Sequence, residues 1–333
     1  MTGSAPRGGA DTFGDVTGEY LALRTGAGLV VGWHDLVWVR GPDTVRFLDG
    51  LISQAVTPME PGSVARSLLL TPQGKLRAPH LVLRGEDEVG LLTDRGVGAV
   101  AVADLLRFRF RVDASVDADP RPVVEVWGPE AVRVVAEVVD VTVTDGWAAH
   151  GEAVVASAPF AHVRLPRIVT LGVPAGELVA AGAVRCGRLA ADAVRIEAGE
   201  PIMGVDIDEK TIAQEADLVA DAVDFTKGCY LGQELIARID SRGHVNRVLR
   251  GVRVTTNVLP PVGSEIVPTG AEAEGKVVGV LTSIAESLTL SAPVGLALVR
   301  REIDPGAEVT LRWTGGKTPA VVEALPLDPT LGT

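Results

Sequence analysis

The sequence predicts an α+β fold, in which two α+β units with antiparallel strands precede a small C-terminal β-barrel. Two apolar runs on either side of a Pro-Gln-Gly turn at 72–74 are typical of a β-hairpin. Apolar residues at helical spacing, as in 97–108, recur between such strands over the first 246 residues. After Arg247 the chain changes to short strands separated by Pro/Gly turns, which is typical of a barrel or sandwich.

The elements of the first unit follow in order. Residues 29–39 are rich in β-branched and apolar residues and indicate a strand pair or a bent strand. Pro42 and the acidic residue after it suit the first turn of a helix. Residues 64–84 form the predicted hairpin, and residues 88–94 form another strand. A helix over 97–108 closes the unit.

The second unit repeats this alternation. Residues 123–128 predict a strand, and Pro129 opens a helix that runs to Val139. Short strands follow over 141–173, and two helices follow over 176–183 and 192–198. We therefore expect four segments: a flexible tail over 1–17, a body over 18–246, a barrel over 247–325 and a tail over 326–333.

Composition excludes several classes of protein. The 333 residues include 31 Lys+Arg and 43 Asp+Glu, and the net charge of −12 argues against strong direct binding of nucleic acid. Two cysteines cannot supply a disulfide framework, nor the four thiolates of a zinc or iron–sulfur site. No uncharged apolar run approaches 18 residues, so we expect no membrane span and a cytoplasmic location.

The common nucleotide and metal motifs do not occur in the sequence. No G-x-G-x-x-G follows a strand, and a P-loop ending at 316–318 would need glycine where Leu311 stands. The five histidines form no H-x-x-x-H pair. We therefore predict no metal ligands.

The segment 224–234 carries the candidate chemistry. Lys227 lies two residues from Cys229, and a predicted helix begins shortly after the thiol. A cation and a helix N-terminus both stabilise a thiolate, which would make Cys229 a reactive residue with Lys227 as its electrostatic partner. The alternative is a small packing cysteine in a Gly-rich turn. The second cysteine, Cys186, is expected to be a packing residue.

Residues 227–234 (KGCYLGQE) match the K-G-C-Y-x-G-Q-E signature of the folate-binding YgfZ family without a mismatch. That family is related to the glycine-cleavage T-protein, an aminomethyltransferase. Further stretches resemble the same family over residues 30 to 325. They are FLDGLIS at 47–53, LTPQGK at 70–75, RIEAG at 195–199 and QEA at 214–216.

The resemblance implies a three-domain cloverleaf around a central, folate-sized hole, with tetrahydrofolate or a folate derivative as cofactor. Glu215 is the best positional match to the glutamate that holds the pterin edge, because a carboxylate can accept two parallel N–H bonds. Without the resemblance, Glu215 would be interpreted as a surface carboxylate in a loop. Arginines after the signature would meet the carboxylates of the folate tail, or would lie on a solvated helix face. The full set of implied folate contacts is Glu215, Glu197, Arg238, Arg242, Arg247, Tyr230 and Gln233.

The resemblance also implies a function. Members of the YgfZ family support assembly or repair of iron–sulfur proteins, including tRNA-modifying enzymes, and we expect an accessory role of this kind, acting indirectly on tRNA. The alternative is a folate-dependent one-carbon (aminomethyl) transferase. Transferases carry an aspartate pair after the hairpin glycine, whereas Gly74 here is followed by KLRAPH, and Met203 stands where a tyrosine is usual. His80 could replace the missing acid/base group. A third possibility is a scaffold with a collapsed hole and an inert Cys229.

Overall fold

The computed structural model describes residues 9–269 and 275–332, apart from the side chain of Arg242. Two β-sheets and most of the helices precede a closed barrel, which confirms the predicted α+β class. The strands before the barrel are β1 (Gly28–Val31), β2 (His34–Arg40), β3 (Val64–Leu70), β4 (Leu76–Arg84), β5 (Glu88–Asp94), β6 (Ser115–Ala118), β7 (Val124–Trp127), β8 (Trp147–His150), β9 (Ala153–Ser157), β10 (Arg167–Leu171) and β11 (Val184–Arg185). The helices are α1 (Val16–Thr25), α2 (Thr44–Asp49), α3 (Gly98–Phe108), α4 (Ala131–Val139), α5 (Ala175–Ala180), α6 (Arg188–Ala198), α7 (Val219–Ala222) and α8 (Gln233–Arg242).

The first sheet is antiparallel, with strand order β3-β4-β5-β2-β6. The predicted hairpin at its edge is confirmed, with Ser67 opposite His80. Gly74 in the turn has φ +75°, and a Cβ there would lie 2.6 Å from the side chain of Leu235 in α8. Because both the backbone angle and the packing exclude a side chain, glycine fixes the hairpin tip against α8.

The second sheet has the order β11-β1-β7-β10-β9-β8. The two strands predicted over 29–39 are confirmed, but they belong to different sheets. Gly32, with φ +76°, lies between them where the chain passes from one sheet to the other. The sheets pack face to face, and apolar side chains such as Leu36 and Leu92 of the first contact Val154 and Val169 of the second.

The barrel closes six antiparallel strands in the order β12-β15-β14-β13-β16-β17. Its strands are β12 (Arg247–Val254), β13 (Glu265–Pro268), β14 (Gly279–Ser287), β15 (Ala292–Arg300), β16 (Glu308–Trp313) and β17 (Gly316–Glu323). The pairing of Val252 with Val322 joins the first strand to the last and leaves no free sheet edge.

A buried ion network in α6 joins the body to the barrel. The guanidinium of Arg195 is 2% exposed and pairs with Asp206 at 2.8 Å and Asp192 at 3.1 Å. It also donates a hydrogen bond to Oγ of Ser283 in β14, at 2.8 Å. Removing one partner of a buried ion pair costs about 3–5 kcal/mol, so this joint strongly restrains the barrel against α6.

The described parts of both expected tails are packed against the body. Residues 9–15 precede α1, and the backbone of Arg188 donates to the carbonyl of Ala10. At the other end Leu331 is buried, and Arg24 of α1 pairs with Asp328 at 2.6 Å. The polar residues and glycines of both ends predicted flexible tails. In the structure, contacts with α1 and α6 hold the described residues of both ends against the body. Among the described helices, none has the length and apolar composition needed to span a membrane.

Candidate functional site

A cavity with an internal volume of about 70 Å³, partly open to solvent, lies where both sheets meet the segments 158–162, 200–207 and 217–222. We call it the inter-sheet cavity. Its titratable lining residues come from the middle of β3 and β4, the end of β5, the start of β2 and β10, and the connecting loops. They are His34, Arg66, His80, Asp94, His162, Arg167, Glu200, Asp217 and Asp221. Of the candidates named from the sequence, His80 alone lines this cavity.

His80 presents an unpartnered nitrogen within this wall. Its Nδ1 lies 2.8 Å from the carbonyl oxygen of Ala78, which can only accept, so the Nδ1 proton is donated there. Nε2 is buried and has no hydrogen-bond partner among the described residues. Burial lowers the pKa of His80 to about 4. The imidazole is therefore neutral near pH 7, and Nε2 is a free acceptor.

His34 and Asp94 form a second polar part of the wall, at the paired ends of β2 and β5. Nδ1 of His34 lies 2.7 Å from the buried carboxylate of Glu125, and its Nε2 lies 3.9 Å from Oδ1 of Asp94. Burial lowers the pKa of His34, but the Glu125 carboxylate outweighs burial, and the net pKa is raised. Burial raises the pKa of Asp94. The gap between His34 and Asp94 is too long for a direct hydrogen bond.

Glu200 is held between two arginines at the same cavity. Its carboxylate accepts hydrogen bonds from Arg66 at 3.2 Å, from Arg167 at 3.1 Å and from the backbone of Ala161. Burial raises the pKa of Glu200, but the two guanidinium groups outweigh it and bring the pKa down to about 2. The carboxylate is therefore ionised at any physiological pH and fixes both arginines in the wall.

Glu215 and Arg247, both expected to contact folate, instead bind one another. Nε and Nη2 of Arg247 donate to the two carboxylate oxygens of Glu215 at 3.1 and 3.2 Å. The carboxylate also accepts from the backbone of Ile212. Glu215 does not line the inter-sheet cavity. This bidentate pair ties the end of the body to the first barrel strand, and its acceptor positions are occupied within the protein.

Glu197 also binds other residues of the protein, in a buried cluster. Its fully buried carboxylate accepts from the hydroxyl of Tyr20 at 2.6 Å and from the guanidinium of Arg24. Burial together with the nearby Glu197 charge raises the pKa of Tyr20 to about 12. The cluster joins α1, α6 and the C-terminal segment, away from the cavity. Glu197 does not line the inter-sheet cavity, and its contact with folate stays a prediction.

Lys227 supports the loop after α2. Its ammonium donates to the carbonyl oxygens of Ile52 and Gln54, each at 2.8 Å, and lies 5.2 Å from the ring centroid of Tyr230. Burial lowers the pKa of Lys227. Tyr230 is buried in the core beneath it. The ammonium of Lys227 therefore binds backbone carbonyls rather than the neighbouring thiol. Tyr230 serves as a packing residue.

Cys229 lies exposed in a separate, open groove of about 420 Å³ that also includes Asp49, Asp224 and Lys227. Helix α8 begins at Gln233, so the thiol precedes the helix by four residues and lies outside its first turn. The alternative of a buried packing cysteine is wrong for Cys229. It fits Cys186, which is buried and whose pKa burial raises to about 12.

The remaining candidates lie on α8. Gln233 opens the helix, and its backbone donates to the carbonyl of Tyr230. Arg238 is exposed and pairs with Glu234 one turn earlier, as expected of a solvated helix face. The side chain of Arg242 lies outside the described residues. Neither Gln233 nor Arg238 lines the inter-sheet cavity.

Sequence reasoning missed His34, Asp94, Arg66, Arg167 and Glu200. Each sits in a strand or next to a helix end, where a single charged residue resembles an ordinary exposed position. Two signals were usable: Asp94 ends an apolar strand, and Glu200 follows the helix-ending Gly199. Among the described residues no cluster of three His, Cys, Asp or Glu side chains could hold a metal ion.

Two family models match the chain. The GCVT N-terminal domain matches residues 8–169, and the glycine cleavage T-protein C-terminal barrel domain matches residues 247–328. A curated aminomethyltransferase from Corynebacterium aurimucosum is 27% identical, over 92% of this chain and 88% of its own length. Those from Streptomyces coelicolor and Rubrobacter xylanophilus are 27% and 28% identical, over 94% and 90% of this chain and 90% and 83% of their own lengths.

A solved structure shows the same fold. The glycine cleavage system aminomethyltransferase T from Bartonella henselae superposes with a TM-score of 0.85 at 22% identity, over 99% of this chain and 96% of that one. The predicted T-protein-like arrangement with a C-terminal barrel is therefore confirmed. The chain is therefore similar over nearly its whole length to curated aminomethyltransferases, and it matches the GCVT N-terminal and T-protein C-terminal barrel domain models over two separate segments.

Proposed function

We propose that this chain binds a tetrahydrofolate-type cofactor in the inter-sheet cavity and acts as a folate-dependent one-carbon transferase of the aminomethyl type. The observation that carries the proposal is the buried, unpartnered Nε2 of His80 in the cavity wall. Nearly full-length similarity to proteins named aminomethyltransferase supports it. The sequence favoured an accessory role and kept the transferase as the alternative; the comparisons favour the transferase.

The residues present fit such a cofactor. The internal volume of about 70 Å³ is below the roughly 300–1,000 Å³ found for small-molecule sites, so the fit rests on the polar groups of the wall and not on volume. A 2-amino-4-oxopterin edge presents N–H donors beside a carbonyl acceptor. The wall offers acceptors at Nε2 of His80 and Oδ1 of Asp94, and Nε2 of His34 lies beside Asp94. These three residues would hold the ring, in place of Glu215.

His80 would replace the missing aspartate pair. Strand β4 carries Ala78, Pro79 and His80 where the transferases carry carboxylates. Since burial lowers the pKa of His80 to about 4, its Nε2 is unprotonated at neutral pH and can accept a hydrogen bond from the reacting groups. When bound, tetrahydrofolate would supply the acceptor for the one-carbon unit of an S-aminomethyl donor, whose nitrogen leaves as ammonia and whose sulfur leaves as a thiol.

The transfer can be tested in reverse, as ammonia-dependent conversion of 5,10-methylenetetrahydrofolate to tetrahydrofolate with a small dithiol as aminomethyl acceptor. We expect catalysis by the wild type and a loss of about 10²-fold in His80→Leu, which removes the acid/base group. His150→Leu, at an exposed histidine in the second sheet, is the matched control and should keep wild-type activity. A wild-type protein that binds folate without catalysing this reaction would contradict the transferase.

The second candidate is the accessory role in iron–sulfur protein assembly, with iron–sulfur proteins such as tRNA-modifying enzymes as partners. The exposure of Cys229 in an open groove favours it, as does the complete signature around that thiol. The test is an iron–sulfur-dependent tRNA modification in a strain that lacks the gene. Restoration by wild type and His80→Leu, but not by Cys229→Ser, would establish this role in place of transfer.

A further inference from the structure

An exposed segment with alternating arginine and aromatic residues spans the last residues of α3 and the turn after it. It reads Leu-Arg-Phe-Arg-Phe-Arg over residues 106–111, which we call the Arg-Phe turn. All six residues are exposed. Phe110 is 77% exposed, the largest fraction among the exposed large apolar side chains of the described residues. Water-exposed phenylalanines in series are unfavourable in an isolated chain and commonly mark interaction sites.

The backbone projects these side chains outward. Leu105, the residue before the turn, is fully buried and anchors α3 to the first sheet. The helix ends at Phe108. The backbone N–H of Arg109 then donates to the carbonyl of Leu106, and that of Phe110 donates to the carbonyl of Phe108. Arg111 has φ +55°, a left-handed conformation that a residue with a long side chain seldom adopts. The core therefore holds the turn in place while its rings face solvent.

The turn carries three arginines, of which Arg107 pairs with Asp104 at 3.4 Å. Arg109 donates to the carbonyl of Ala114, and Arg111 lies 5.2 Å from the ring centroid of Phe110; neither pairs with a carboxylate among the described residues. Arginines elsewhere, such as Arg133 and Arg312, are paired with glutamates. What distinguishes Arg109 and Arg111 is that both lie next to exposed phenylalanines in one short turn.

We propose that the Arg-Phe turn is a docking site for an acidic segment of a partner protein. Phe108 and Phe110 would supply the apolar contact, while Arg109 and Arg111 would pair with carboxylates on the partner. Aromatic residues and arginine are the residue types enriched at the energetic centres of protein interfaces. Nucleic acid is the weaker fit, because affinity for a polyphosphate needs many phosphate contacts and the turn offers only two arginines without a described carboxylate partner. This site is independent of the proposed transferase chemistry.

The test uses the full chain and a short fluorescein-labelled peptide in which glutamate alternates with leucine, followed by fluorescence anisotropy. We expect saturable binding that weakens at least about tenfold in Arg109→Ala/Arg111→Ala and in Phe108→Ser/Phe110→Ser. The matched control is Arg46→Ala/Arg95→Ala. It removes the same charge from two exposed arginines that have no carboxylate partner among the described residues, and it should bind like the wild type.

Three results would overturn the proposal. The first is an absence of saturable peptide binding by the wild type, and the second is an equal loss in the control variant. The third is tighter binding of a labelled oligouridine or of phosphatidylserine vesicles that the Arg109→Ala/Arg111→Ala change abolishes, since the turn would then recognise nucleic acid or a lipid surface. Circular dichroism of each variant confirms that the fold is retained.

Discussion

Substituting Lys227 by methionine should destabilise the body of the protein without changing the reactivity of the neighbouring thiol. The ammonium donates to the carbonyl oxygens of Ile52 and Gln54, each at 2.8 Å, and the side chain is only 5% exposed. Hydrogen bonds to charged groups contribute roughly 1.5–3 kcal/mol each, and the cost of burying the ammonium offsets part of this sum. Methionine keeps the aliphatic stem but leaves both carbonyls unpaired, so we expect a loss of about 2–4 kcal/mol.

Urea unfolding followed by tryptophan fluorescence measures this loss as a lower transition midpoint. Lys210→Met is the matched control, because Lys210 is exposed, and it should change the free energy of unfolding by less than about 0.5 kcal/mol. The rate at which Cys229 reacts with a thiol reagent in the native protein should be the same in both variants. Wild-type stability together with a slower thiol reaction in Lys227→Met would refute this reasoning and assign Lys227 to Cys229.

Three further outcomes follow from the buried groups. Tyr20→Phe removes a hydrogen bond to the buried carboxylate of Glu197 and should lower the free energy of unfolding by about 1–3 kcal/mol, measured by the same urea titration. An unchanged transition midpoint would contradict a stabilising role for this hydrogen bond. Glu215→Ala should destabilise the protein and leave folate affinity unchanged by calorimetry, because Glu215 binds Arg247 outside the cavity; lost folate binding with intact stability would restore Glu215 as a folate ligand. Burial lowers the pKa of His80 to about 4 from 6.5, so the unfolded chain takes up a proton as pH falls through this window while the folded chain does not. Stability should therefore fall by about 2 kcal/mol between pH 7 and about pH 5 on account of His80, and His80→Leu should lack this part of the decrease.

Local patterns predicted the elements of this fold well. The hairpin over 64–84 and the change to barrel strands after Arg247 depend on turn residues and on the spacing of apolar residues, which are properties of short segments. Local patterns did not predict which sheet each strand joins. Strands β1 and β2 adjoin in sequence but enter different sheets, because pairing with β7 and β5, far along the chain, decides their places.

The site was predicted less well for the same physical reason. Glu197, Glu215 and Lys227 were placed by similarity of short motifs, whereas their roles depend on partners such as Tyr20 and Arg247 that lie elsewhere in the chain. A motif identifies which residues a family retains, but it does not distinguish a ligand contact from a structural hydrogen bond. His80 was noticed because its type suits acid/base chemistry, and only the fold shows that its Nε2 is buried without a described partner.

The most direct test of the central claim is calorimetric titration with tetrahydrofolate of the wild type, His80→Leu and the control His150→Leu. We predict binding by the wild type and the control, and a decrease of at least about tenfold in affinity for His80→Leu, because the variant lacks the buried acceptor of the inter-sheet cavity. Equal affinity in all three proteins, or no binding by the wild type, would contradict the assignment of this cavity as the folate site.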